Sequence, residues 1–153
     1  MRRALYGALL AAAFAGAAQA SDFIVVNSTD PGIPRGQALD GGARVPLAAG
    51  KTLTLMRASG EVTTLQGSAA GVVLPAARVA AADGARFETL KILLQPPPPG
   101  RSFGARRGGA ICPDAATLTS LDDIVKVADQ PGCKAEARAA LDAYIAQSSP
   151  QHP

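Results

Sequence analysis

One histidine, two cysteines, a few clustered acids and a run of arginines are the residues of this chain whose types could carry chemistry. Nucleophilic catalysis of the Ser-His-Asp or Cys-His kind needs an imidazole within hydrogen-bond reach of the nucleophile. The single histidine, His152, lies in the C-terminal tail, and no Gly-x-Ser-x-Gly turn occurs. Ser59 and Ser68 read as turn and loop residues. Lys51, Lys91, Lys126 and Lys134, one of which a lysine-assisted serine mechanism would need buried, read as solvated positions. Zinc requires several Cys, His or carboxylate ligands at short spacing, and two distant cysteines with one terminal histidine do not supply them. Asp122, Asp123 and Asp129 fit helix ends and surface better than a calcium loop. Glycoside hydrolysis would have to draw its carboxylates from residues such as Glu61 and Glu88. An enzyme would become the reading only if Glu61, Glu88 and Lys91 met in one cleft. The expectation is a non-enzymatic protein with no cofactor and no metal.

The cysteines acquire meaning from the N-terminus. Met1-Arg2-Arg3 is a short positive region, Ala4 to Ala18 is apolar and uncharged, and Ala18-Gln19-Ala20 places small residues where signal peptidase needs them. Residues 1–20 therefore read as a cleaved leader, with the cut between Ala20 and Ser21. The stretch is too short and too alanine-rich for a spanning helix, and no second apolar stretch follows, so no membrane span is expected after cleavage. The general secretory route fits better than the twin-arginine one, because the extended consensus around Arg2-Arg3 is missing. The expected location is periplasmic or secreted. There, Cys112 and Cys133, with 20 residues between them, read as a disulfide rather than a redox pair, since Cys-x-x-Cys is absent. Closing such a loop stabilises a fold by about 3 kcal/mol on the chain-entropy model.

Cleavage also changes the charge. Removing Arg2 and Arg3 from the 15 Lys and Arg leaves 13 against 12 Asp and Glu, so the mature chain is close to neutral. Nothing in that balance calls for a nucleic acid. With 4% aromatic residues and no Trp, a stacking surface for bases or sugars is not expected either. The one concentrated charge is Arg101, Arg106 and Arg107, in a glycine-rich stretch with no acid. It lacks the strand-to-helix setting and the Lys-Ser or Lys-Thr of a phosphate loop. It reads as a solvated linker or as a contact to an anionic surface or an envelope protein; Arg101, Arg106 and Arg107 are the candidate contact residues.

These residues hang on a recognisable series of elements. Phe23-Ile24-Val25-Val26 is an apolar, β-branched run ended by the turn residues Asn27 to Gly32. Arg44-Val45-Pro46-Leu47 suits an edge strand, because Pro46 cannot donate to a ladder. Lys51 to Leu55 alternates polar and apolar residues, Ala58-Ser59-Gly60 turns the chain, and Glu61 to Leu65 returns; Leu53 and Leu55 should be core residues. Val72-Val73-Leu74 adds one more strand before Pro75. Phe87, Leu90 and Leu94 then fall at helical spacing over about 84–94, with Asp83 as N-cap; the alternative is a strand over Leu90 to Leu94. Pro96 to Pro99 forbid helix and ladder, and something separate begins after them. Ser120-Leu121-Asp122-Asp123 resembles a capping box with Asp in place of Glu, and Leu121, Ile124, Val125 and Ala128 share a face. Gln130-Pro131-Gly132 stops that helix. From Lys134 to about Ala146 a second helix carries Ala137, Ala140, Leu141, Tyr144 and Ile145. The expected class is α+β: a small antiparallel β-domain of about five strands with one helix, followed by a disulfide-clamped helical hairpin. The segments are leader 1–20, β-rich domain 21–95, linker 96–110, hairpin 111–147 and polar tail 148–153.

Gly42-Ala43-Arg44-Val45-Pro46-Leu47-Ala48-Ala49-Gly50-Lys51-Thr52-Leu53-Thr54-Leu55, followed by Ser59-Gly60-Glu61-Val62-Thr63-Thr64-Leu65-Gln66-Gly67, resembles the FecR-type periplasmic β-module in its rhythm of glycine, alternating strand and glycine turn. The resemblance covers about a fifth of the chain and implies a non-enzymatic envelope domain. A full FecR signal transducer also carries a transmembrane helix and a cytoplasmic N-terminal segment, which this sequence lacks, so sigma-factor signalling is not implied. As a whole the chain resembles small exported proteins of Gram-negative bacteria. The expected function is an exported, periplasmic, non-enzymatic interaction or envelope-support protein. A small-ligand-binding β-domain, with a pocket between sheet and helix, and an enzyme with an unfamiliar site are the alternatives.

Overall fold

The computed structural model describes residues 21–76, 84–96 and 111–149. Strand β1 (Phe23–Ser28) opens with four residues exposed by 3% or less, buried on both faces. An unbroken apolar, β-branched run is what a strand covered on both sides requires. It lies inside a four-stranded antiparallel sheet, between β2 (Ala38–Leu39) and β4 (Thr52–Met56), with β5 (Val62–Gln66) beyond β4. The short strands β3 (Arg44–Val45) and β6 (Val72–Val73) pair separately as a two-stranded ribbon. The α+β class is as expected. Among the described residues the strands number six, in keeping with the five or so expected, and divide between sheet and ribbon.

The β4–β5 hairpin follows its sequence pattern. Leu53 and Leu55 are fully buried, and the turn is closed by Gly60 N–H donating to the Arg57 carbonyl at 3.0 Å. Between β1 and β4 the register slips at Val26, where Val25 faces Leu55 but Asn27 faces Thr54. The extra residue is a bulge whose side chain packs with Ile24.

The sheet separates two apolar clusters. On one side Phe23, Val25, Leu53 and Leu55 pack with Val45, Leu47 and Leu74 of the ribbon segments and with Ile33. On the other, Ile24, Val26 and Met56 meet three helices, α1 (Gly84–Leu94), α2 (Leu121–Ala128) and α3 (Lys134–Ser148). Leu90, Leu93 and Leu94 are buried on α1, so this run is helical and not the alternative strand. Ser120 caps α2, its Oγ accepting from Asp123 N–H at 3.1 Å; the Asp123 carboxylate accepts from the same hydroxyl at 2.7 Å, half of the reciprocal box. Val127, rather than Val125, completes the buried face with Leu121, Ile124 and Ala128, while Val125 is partly covered.

The helical hairpin packs onto the β-rich segment. Two short helices with one apolar stripe each bury too little against each other, and here both stripes close onto Met56, Ile24 and α1 in one shared core. Cys112 and Cys133 form a disulfide, with Cα atoms 5.5 Å apart, tying the segment before α2 to the start of α3. No described helix is long and apolar enough to cross a membrane.

Candidate functional site

Several sequence candidates fall outside the described residues: the leader with Ala20, the Asp83 cap, Arg101, Arg106 and Arg107, and His152. Ser21 is described; its hydroxyl donates to Asp40 Oδ1 at 3.0 Å where β1 begins. Of the candidate acids and bases, Glu61, Glu88, Lys91, Asp122, Asp123 and Lys126 have local partners. Glu61 pairs with Arg57 at 3.5 Å at the β4–β5 turn, whereas Glu88 and Lys91 pair with each other at 3.1 Å along α1. Lys126 pairs with Asp123 and Arg86 with Asp122, so the acidic cluster braces α2 internally and against α1. Ser68 Oγ donates to the Gly71 carbonyl at 2.6 Å, a loop role. Among the described residues no group of three or more His, Cys, Asp or Glu could hold a metal ion.

A depression lies where the C-terminus of α1, the side of α3 and the β1–β2 loop converge. Arg138 of α3 donates to the Gln95 carbonyl at 2.9 Å and the Ile92 carbonyl at 3.4 Å, satisfying the open end of α1. Arg35 of the loop pairs with Asp142 of α3. Leu94 floors the space between these pairs, which holds about 190 Å³, below the roughly 300–1,000 Å³ of ordinary ligand pockets. It sits outside the contact of sheet and α1, where the ligand-binding alternative placed a pocket. Its polar groups serve the fold: one caps a helix and one ties a loop.

Among the described residues the longest strand with an unpaired edge is β5. Its partner is β4 alone, in continuous register from Thr52↔Gln66 to Met56↔Val62. At one end Arg57 N–H donates to the Glu61 carbonyl; at the other Gly67 N–H donates to the Lys51 carbonyl. Ladder bonds of an antiparallel pair skip every second position, so Thr63 and Leu65 turn their amides and carbonyls toward β4. Val62, Thr64 and Gln66 turn theirs away from it. No hydrogen bond within the described residues reaches those outward groups. Thr64 Oγ1 lies 3.2 Å from Thr54 Oγ1, the closer side-chain approach of a pair without ladder bonds.

Both ends of β5 are fixed by close approaches that exclude a side chain. At Gly60, with φ of 90°, a Cβ would stand 2.8 Å from Tyr144 Oη and 3.0 Å from Leu121 Cδ2, so the hairpin turn is seated under α2 and α3. At Gly67 a Cβ would stand 2.0 Å from the Ala48 carbonyl oxygen. The strand between them contains no charge, no proline and no bulge, the devices that usually blunt an exposed edge. The uncharged composition was visible in the sequence; that β5 would be terminal in the sheet was not, because strand order depends on partners far along the chain. Comparison with protein-family models, curated proteins and solved structures gave no match.

Proposed function

We propose that this chain is an exported, non-enzymatic interaction module of the cell envelope that accepts an extended strand at the free edge of β5. The observation that carries the reading is the row of outward backbone groups at Val62, Thr64 and Gln66 on a rigidly held, uncharged strand. Main-chain hydrogen bonding to such an edge is a general mode of protein recognition that needs no catalytic residue and no cofactor. Export is supported by the leader pattern at residues 1–20 and by a disulfide, a bond that persists in oxidising compartments. The FecR-like rhythm from Gly42 to Gly67 supports an envelope role and falls on β3, β4 and β5.

A photo-crosslinking residue at position 64, installed in the exported chain in living cells, tests the reading. Adducts at position 64 and none at the exposed α3 position Ala135 are expected. Equal labelling at both positions, or none at 64, would count against strand acceptance. The same preparation reports processing: a mature start at Ser21 and no free thiol are the expected masses.

A further inference from the structure

Resting on the reading of β5 as an interaction edge, we propose that its partner is a second copy of this chain, paired antiparallel through β5 about a two-fold axis at Thr64. The geometry of the edge selects that register. Val62, Thr64 and Gln66 are the residues with outward groups, so only an axis at Thr64 sets all three opposite outward residues of the other copy: Thr64 to Thr64, Val62 to Gln66 and Gln66 to Val62. Each such pair exchanges two hydrogen bonds, and every outward amide and carbonyl of both strands finds a partner. An axis one residue away would leave some of them unmatched, and the uncovered backbone groups would oppose it.

Side chains and charges agree with this register. Thr63 faces Leu65 of the second copy on the ribbon side of the sheet, extending the partly buried Leu65 contact. Glu61, the charged residue adjoining the strand, faces Gly67 of the second copy, so no like charges meet. Gly67 neighbours Lys51 of its own chain, whose ammonium makes no ion pair among the described residues. Each end of the joint thus sets Glu61 of one copy two strand spacings, about 10 Å, from Lys51 of the other. The product is one continuous eight-stranded sheet. A five-residue strand pair buries less than the roughly 1,200 Å² of a standard interface, so the dimer is a dissociable one.

Sedimentation velocity of the purified, disulfide-intact chain tests the proposal, combined with oxidative crosslinking. The mean mass is expected to rise from one chain toward two between about 5 and about 500 μM, the range of a weak interface. Thr64→Pro, which alters the central outward pair without removing a backbone bond to β4, and Thr64→Lys, which sets like charges on the axis, should both remain single chains. Thr64→Cys should crosslink to a dimer at least fivefold more than Gln66→Cys, because position 66 faces 62 and lies far from its own counterpart. A wild-type chain that stays single at the highest concentration, or a dimer indifferent to both Thr64 variants, would overturn the proposal. Were the chain single while position 64 still crosslinked to a different envelope protein, the second-copy assignment would fall and the strand-accepting reading would stand.

Discussion

The two edges of the sheet are finished differently. β2 is two residues long and is followed by the Asp40-Gly41-Gly42 turn, while the loop before it is tied to α3 through Arg35 and Asp142. It offers little length for another strand. β5 is five residues long, uncharged, in unbroken register with β4 and pinned at both ends. One edge is blunted by brevity, whereas the other is left as a template. An edge held this rigidly loses little conformational freedom on pairing, which suits it to recognition.

Substitutions at the two edges should differ in their cost. The largest effect is expected at the foot of β5, where Gly67→Ala drives a methyl group into the Ala48 carbonyl; urea unfolding should show a loss of about 3 kcal/mol or more. Replacing Cys112 and Cys133 together by Ser should cost about 3 kcal/mol in the same assay. Because α2 and α3 seat the hairpin turn at Gly60, that variant should also loosen the β4–β5 turn, seen as faster amide exchange at Arg57 and Gly60, with little change at β2. Next comes a parity test within one strand. Thr63→Pro removes an amide that bonds to β4 and should cost roughly 2 kcal/mol, whereas Thr64→Pro removes an outward amide and the hydroxyl contact to Thr54 and should cost, beyond the loss measured for Thr64→Val, under about 1 kcal/mol. Equal costs would mean that the alternation along β5 is misassigned. The smallest effect is expected beside β2, where Arg35→Gln breaks an exposed ion pair and should change stability by under about 0.5 kcal/mol.

Much of this fold was legible in the sequence because its signals are local. Alternation named Leu53 and Leu55, turn residues marked the β4–β5 hairpin, helical spacing marked α1, and Ser120 announced the start of α2. The paired cysteines named their own bond. What escaped was non-local. The four-and-two division of strands depends on which segments meet across the core. The shared core of helices and sheet was hidden by the prolines, which break local structure but do not stop the flanking segments from packing together. Val127 replaced Val125 because the helix layer covers α2 from two sides, by α1 and by α3. The candidate site was half legible: the absence of charge from Val62 to Gln66 is written in the chain, while its place at the sheet edge follows only from the assembled topology.

Residue-resolved hydrogen exchange along β5 reads out whether its outer edge is open. In dilute, single-chain protein the amides of Thr63 and Leu65 should be protected, and those of Val62, Thr64 and Gln66 should exchange fast, gaining protection only when another strand occupies the edge. Slow exchange of Val62, Thr64 and Gln66 in the dilute chain would rule out an open edge at β5, since those amides would then already be covered from within.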